Sequence, residues 1–293
     1  MVLWKHIATM ASAVILLSAC VSDEQAELRG SLYFAAGNYL ALMDLRDGST
    51  SVEANLGDVQ IHSISPHQDG RILVSLVGNE NDYDSRRLVL YDIRSRQTLT
   101  LLSGREGHYL PNTSALVFDD GIRVKVTERV RGSWQTTDVV KHRFSERVEI
   151  LPLGPSRFMY RLGDGVPQLF DRDTMRSTEL AEFAAQCRLD RALWFADRQG
   201  MLCGTRRGES EFDYAFVDID GAVGERLPLP ANHDLRPLAY LGDQDVLILT
   251  ERWQGGLGNR WKWAVWVYRF DTGVAYRLLE DQFLGDTVIY APS

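Results

Sequence analysis

The chain has 293 residues, of which 45% are hydrophobic, 25% charged and 10% aromatic. That profile is of a folded globular protein, and it excludes disordered, collagen-like and disulfide-dense chains. No uncharged run reaches the ~20 residues of a membrane helix, which excludes a multispanning helical protein. The formal charge of −8 argues against a general binder of nucleic acid or anionic membranes, while leaving room for local basic patches.

The N-terminus reads as an address. Lys5 is the one basic residue ahead of an uncharged stretch, residues 7–19, which has the length of a secretory h-region and is too short to span a bilayer. It ends Leu17-Ser18-Ala19-Cys20. This segment resembles the lipobox of bacterial lipoproteins. The resemblance implies cleavage before Cys20, acylation of Cys20, and anchoring by several acyl chains, which hold where one would be marginal. The expected organisation is a signal peptide over 1–19, an acylated Cys and acidic tether over 20–29, and one folded domain over 30–293. The location that follows is the cell envelope, facing the periplasm, with the outer membrane as the expected anchor.

From residue 31 onward the chain repeats itself. One signature is an apolar strand, an Asp or Arg, a polar turn and a second strand. Its copies carry Asp44, Asp92, Arg143, Asp171, Asp218 and Arg269. Most are preceded by a hairpin whose turn holds Asp69-Gly70, Asp120-Gly121, Gln199-Gly200 or Gly242-Asp243, residue types that accept the positive φ of tight turns. The flanking runs are β-branched and aromatic, as strands require.

Together the two signatures predict four antiparallel strands every ~45–50 residues, the period of a propeller blade. The fold class is all-β, a single β-propeller of about six four-stranded blades. The first repeat lacks a leading strand, and the chain ends in a strand with no partners near residue 289, so the C-terminal strand is expected to close the ring. The short step from Arg143 to Asp171 suggests a fourth blade one strand short, and strands hidden near Cys187 would make seven blades. A β-sandwich is the rival. One short helix is expected over 178–185. SPHQDGRILVSLVG from Ser65, followed by RRLVLYDI, resembles the first hairpin of TolB-type relatives of WD-repeat blades, which supports the fold and leaves function open.

Cys187 and Cys203 remain once Cys20 is acylated. In an oxidising compartment they pair, or they stay as two buried thiols in neighbouring strands. The chain shows no G-x-S-x-G, H-E-x-x-H, C-x-x-C or Walker motif, and no cofactor or metal is expected. His62 and His67 fit hairpin capping better than a metal pair. The acidic stretch 79–84 lacks the glycine and distal glutamate of a calcium loop.

Longer excursions are read as connections between second and third strands at 78–87, 129–134, 206–211 and 251–262. The last holds two tryptophans, two arginines and three glycines, the composition of interface hot spots. The candidate binding residues are Arg206, Arg207, Arg252, Trp253, Arg260 and Trp261. Arginines outnumber lysines 28 to 4, supplying planar donors for carboxylates, phosphates and sugars. The expected role is a membrane-anchored binding or scaffold module for an envelope protein or a glycan. A propeller enzyme with a central-channel site is the alternative.

Overall fold

A computed structural model describes residues 28–67, 70–78, 86–206, 212–230, 233–255, 260–280, 284 and 288–292. Its strands form six four-stranded antiparallel sheets. Blade 1 holds β1 (Ser31–Ala36), β2 (Tyr39–Asp44) and β3 (Thr50–Asn55). Blade 2 is β4 (Gln60–His67), β5 (Arg71–Val77), β6 (Arg86–Asp92) and β7 (Gln97–Ser103). Blade 3 is β8 (Glu106–Tyr109), β9 (Leu116–Asp119), β10 (Arg123–Val130) and β11 (Ser133–Lys141). Blade 4 is β12 (Val148–Pro152), β13 (Arg157–Leu162), β14 (Gln168–Asp171) and β15 (Arg176–Glu179). Blade 5 is β16 (Ala192–Phe195), β17 (Gly200–Arg206), β18 (Phe212–Val217) and β19 (Val223–Leu227). Blade 6 is β20 (Leu235–Leu241), β21 (Val246–Gly255), β22 (Arg260–Arg269) and β23 (Val274–Glu280). The last strand, β24 (Val288–Ala291), pairs with β1 and completes blade 1 in the order β24-β1-β2-β3.

The architecture is therefore the six-bladed propeller that the repeat predicts, closed by the C-terminal strand. The region of Cys187 holds no seventh blade. It contains a short helix, α1 (Ala181–Gln186), which starts three residues later than expected because Thr178 and Glu179 belong to β15. Phe183 on α1 is buried between blades 4 and 5, beside Cys187 and Cys203. Those two cysteines are joined by a disulfide, with Cα atoms 5.1 Å apart. The bond ties the connection between the blades to β17, and a loop of this length adds on the order of 3 kcal/mol.

Successive blades pack face to face on apolar residues. Ile61, Ile72 and Val89 of blade 2 meet Tyr33 and Leu40 of blade 1. Leu73 and Leu88 meet Leu116 and Phe118, and Val117 and Val124 meet Phe158 and Phe170. Met159 meets Met201 and Val217, Leu202 and Tyr214 meet Leu247 and Trp266, and Leu241, Val246 and Val267 meet Leu32 and Met43. The central strands of each blade are buried on both sides, so they read as near-continuous apolar runs such as Leu88–Tyr91.

The recurrent aspartate has a physical cause. It ends the third strand of its blade or directly follows it, and its carboxylate accepts backbone N–H groups of the turn that follows. Asp92 Oδ1 accepts from Ser95 at 2.8 Å, Asp171 Oδ1 from Asp173 and Thr174 at 2.9 and 3.0 Å, and Asp218 Oδ1 from Asp220 and Ala222 at 3.0 and 2.8 Å. In blades 1, 2 and 4 the residue four places on has positive φ, namely Gly48, Arg96 and Met175. Arg143 does not hold this place. It follows the fourth strand of blade 3, whose corresponding turn lies at Arg131 and Gly132. The short spacing thus reflects a shift of one strand, and blade 4 keeps all four strands within residues 148–179.

Among these aspartates, Asp92 is the most perturbed. Hydrogen bonds from the Ser95 backbone and from Arg71 hold its carboxyl at about 2, below the ordinary 3.8. A carboxyl with a depressed folded pKa stabilises the fold above its unfolded pKa, and that contribution disappears as pH falls toward the folded value. Asp92→Asn is therefore expected to lower the melting temperature most above pH 4, with the difference from wild type closing as pH falls toward 2. A difference that stays constant across this range in thermal melts would contradict this role.

Candidate functional site

In an antiparallel blade, successive connections emerge at alternate ends of the sheet. The links from second to third strands and from blade to blade share one face, here the upper face. The hairpins from first to second and from third to fourth strands share the lower face. β5 and β6, and likewise β17 and β18, are accordingly joined at the upper face. The segment 129–134 is not part of that face, because it joins β10 to β11, the third and fourth strands of blade 3, and turns on the lower face.

The expected loop at 251–262 is mostly strand. β21 and β22 pair without interruption from Val246↔Arg269 to Gly255↔Arg260, placing Arg252 opposite Trp263, Trp253 opposite Lys262 and Gln254 opposite Trp261. The apolar and aromatic alternation continues past the blade's edge, and Gly255 stands at the outermost pair. Trp253 is half-buried against the core between blades 5 and 6, with the Arg277 guanidinium 5.3 Å over its ring. Arg252 is exposed and lies 5.4 Å over Trp263. The side chains of Arg206, Arg260 and Trp261, and all of Arg207, lie outside the described residues, as do Cys20 and the acidic stretch 79–84.

Beneath this hairpin sits a buried carboxylate. Glu251 accepts from His233 Nδ1 at 2.6 Å, Trp266 Nε1 at 2.8 Å and Arg277 Nη2 at 3.1 Å. Its side chain is 6% exposed. Three donors around a desolvated anion fix the angle at which the hairpin leaves the blade. A small cleft of about 220 Å³ opens beside it, lined by Arg191, Asp234, Arg236, Thr250, Arg252 and Trp263.

A larger cleft of about 510 Å³ opens on the upper face where blades 2, 3 and 4 meet. Arg86, Arg105, Arg147 and His62 line it with Glu106 and Asp119. Asp119 is buried and is matched from within. Its Oδ1 lies 3.0 Å from His142 Nε2 and accepts the Gly121 N–H at 2.5 Å. His142 Nδ1 faces the Arg143 carbonyl at 2.9 Å, and that oxygen only accepts, so Nδ1 carries a proton. Burial raises the Asp119 carboxyl, opposed by the Gly121 N–H and by the charges of His142 and Arg105.

Arg105 is held loosely, 3.5 Å from Asp119 Oδ2 and 3.5 Å from the Glu146 carbonyl. Its guanidinium lies 5.2 Å over the Phe144 ring, and that of Arg86 lies 5.9 Å from the same ring. Phe144 is 46% exposed. Ile122 and Val166, on upper-face connections of blades 3 and 4, are exposed as well. This quarter was not legible in the sequence, because Asp119 and His142 are 23 residues apart and meet only through the fold of blade 3. The run His142-Arg143-Phe144 was the available signal. Among the described residues, no three His, Cys, Asp or Glu side chains gather closely enough to hold a metal ion.

No protein-family model matches the sequence, and no curated protein does. Solved structures match in fold. A putative TolB from Agrobacterium tumefaciens aligns with a TM-score of 0.60 at 13% identity, over 92% of this chain and all of the other. TolB from Acinetobacter baumannii aligns at 0.57 and 14% identity, over 90% of this chain and 67% of the other. A chain from a nidogen/laminin complex aligns at 0.58 and 10% identity, over 88% and 97%. These likenesses establish a TolB-like propeller fold.

The Glu251 node yields a direct test. Glu251→Ala leaves His233, Trp266 and Arg277 without their shared acceptor, and leaving the buried Trp266 N–H unsatisfied costs roughly 1–3 kcal/mol. Urea denaturation of the variant is expected to show that loss. A midpoint equal to wild type would show that the node does not support the blade.

Proposed function

We propose that this chain is a lipid-anchored envelope protein that serves as a protein-binding scaffold and docks its partner on the upper face. The observation that carries this reading is the set of apolar and arginine side chains that the upper-face connections display. The upper face joins exposed Phe144, Ile122 and Val166 to Arg86 and Arg105, and the blade 6 hairpin adds Arg252 and Trp253. Aromatic and arginine side chains are the types that anchor protein interfaces. The TolB and nidogen/laminin likenesses are consistent with a protein partner and, for TolB, with a bacterial envelope setting.

The chain enters the propeller from the lower face. The Arg29 N–H donates to Gln244 Oε1 at 2.8 Å, and the Arg29 carbonyl accepts from Gln244 Nε2 at 2.9 Å, in the turn between β20 and β21. With acylation at Cys20, eight residues separate the lipid from Leu28, a reach of at most ~29 Å. The lower face then lies toward the membrane and the upper face turns away from it, open to a partner.

The test places a photo-crosslinking residue at Ile122 on the upper face or at Arg94 on the lower face of the full-length protein, in its native envelope. A discrete protein adduct from position 122 and none from position 94 is expected. Fatty-acid labelling is expected in wild type and absent in Cys20→Ser. Equal adducts from both faces would overturn the docking face, and an unlabelled wild type would overturn the anchor.

A further inference from the structure

We infer that the lower edge of blades 2 to 4 rests on an anionic bilayer surface, with Trp134 and Leu99 at headgroup level and the arginines around them facing lipid phosphates. The edge is led by a tongue. β9 pairs with β10 only as far as Leu116↔Thr127, while β10 and β11 continue together from Glu128↔Gln135 to Val130↔Ser133. The tongue thus projects past the inner strands of blade 3 on the lower face and turns at Arg131 and Gly132.

Register places its apolar side chains. Residues directly opposite each other in a ladder share a face. Leu116 packs with Leu73 of blade 2 and stands opposite Thr127. Two places on from Thr127 is Arg129, opposite Trp134, so this pair faces blade 2. Leu73 stands opposite Leu90, and Leu90 opposite Leu99, so Leu99 faces blade 3. Both lie near the lower ends of outermost strands, with Trp134 42% and Leu99 62% exposed. Met175, in the lower turn of blade 4, is 52% exposed.

The charge between them is positive and unmatched. Arg94, Arg129, Arg131 and Arg176 are exposed, and among the described residues none of the four has an acidic partner. The neighbouring acids are already engaged, Asp92 by Arg71 at 3.1 Å, Glu128 by Arg172 at 2.8 Å and Asp171 by Arg157 at 3.8 Å. Among the described residues of these lower turns, Asp173 alone stands against the four arginines. Indole rings settle where water meets hydrocarbon, and basic side chains near them are drawn to anionic headgroups. The side chains are spread along one face of three successive blades, which a surface can touch at once. The overall charge of −8 opposes adhesion elsewhere on the chain. The chain also enters the propeller on this face, at Arg29.

This inference rests on the anchoring reading for how the bilayer comes near, and its test separates the two. The full-length protein, carrying a photo-crosslinking residue in place of Trp134, Leu99 or Val166, is reconstituted into vesicles of phosphatidylcholine alone or mixed with phosphatidylglycerol. Lipid adducts are expected from positions 134 and 99 in the mixed vesicles, and not from position 166 on the upper face. They are expected to fall roughly fivefold in Arg129→Gln and again in Arg131→Gln, the effect of one cation near an anionic surface. They also fall in phosphatidylcholine alone and with added salt, conditions that leave the arginines in place. Arg143→Gln, an equal loss of charge on the upper face, leaves them unchanged. Adducts indifferent to lipid charge, to salt and to both arginine variants would overturn the inference. So would equal adducts from position 166, or a discrete protein adduct from position 134 in the native envelope. Fatty-acid labelling of wild type without lipid adducts from positions 134 and 99 would overturn the contact and leave the anchor standing. Charge-dependent adducts on a protein that takes no fatty-acid label would uphold the contact and overturn the anchor.

Discussion

The pairing of β24 with β1 is the constraint on which the rest of the molecule depends. Six sheets arranged about an axis bury their faces only if the last meets the first. Here the register Ser31↔Ala291 to Phe34↔Val288 makes the two ends of the chain one sheet. The join is reinforced at the lower face by Gln244, whose amide bonds both backbone groups of Arg29 and donates to the Tyr290 hydroxyl at 2.8 Å. Tyr290 in turn donates to Asp243 at 2.9 Å. Gly30 permits this approach. Its φ is +86°, and a Cβ there would meet the Ala291 carbonyl and the Tyr290 ring at 2.6 Å. A side chain would add roughly 1–2 kcal/mol from handedness alone, before any clash.

Closure makes the packing of every blade mutual. Each apolar cluster is shared between two neighbours, so the energy of burial belongs to the ring more than to any one sheet. With the strands so held, the upper-face connections are displayed from a rigid base, and polar side chains can be buried there at low cost because their partners are fixed. Glu251 and Asp119 illustrate this at two separate places. Each is a desolvated acid with its donors supplied by different strands or turns, and each supports an arginine-rich cleft.

Much of the fold was legible in the sequence because its recurrent chemistry is local. At four of the blades an aspartate at the end of the third strand accepts N–H groups of the turn that follows, so Asp44, Asp92, Asp171 and Asp218 recur as a local signature. Arg143 misled because blade 3 uses Arg131 and Gly132 at that turn and has no aspartate there. The blade 6 excursion was read as a loop because its glycines suggest one, yet alternation along both strands carries the pairing as far as Gly255↔Arg260. The cleft of blades 2 to 4 was hidden, since Arg86, Arg105, Asp119 and Arg147 are far apart in sequence and meet only where successive blades pack.

Chain entry and its latch occupy the lower face, while the arginine-lined clefts and the exposed Phe144 occupy the upper one. Both depend on the ring staying shut at its seam, and native-state hydrogen exchange on the full-length protein tests that most directly. The account predicts that the paired amides of Val288–Ala291 and of β1 exchange only through global unfolding, as slowly as those of β5 and β21. Fast exchange of Val288–Ala291 at the rate of a frayed terminus, with blades 2 to 5 still protected, would contradict it.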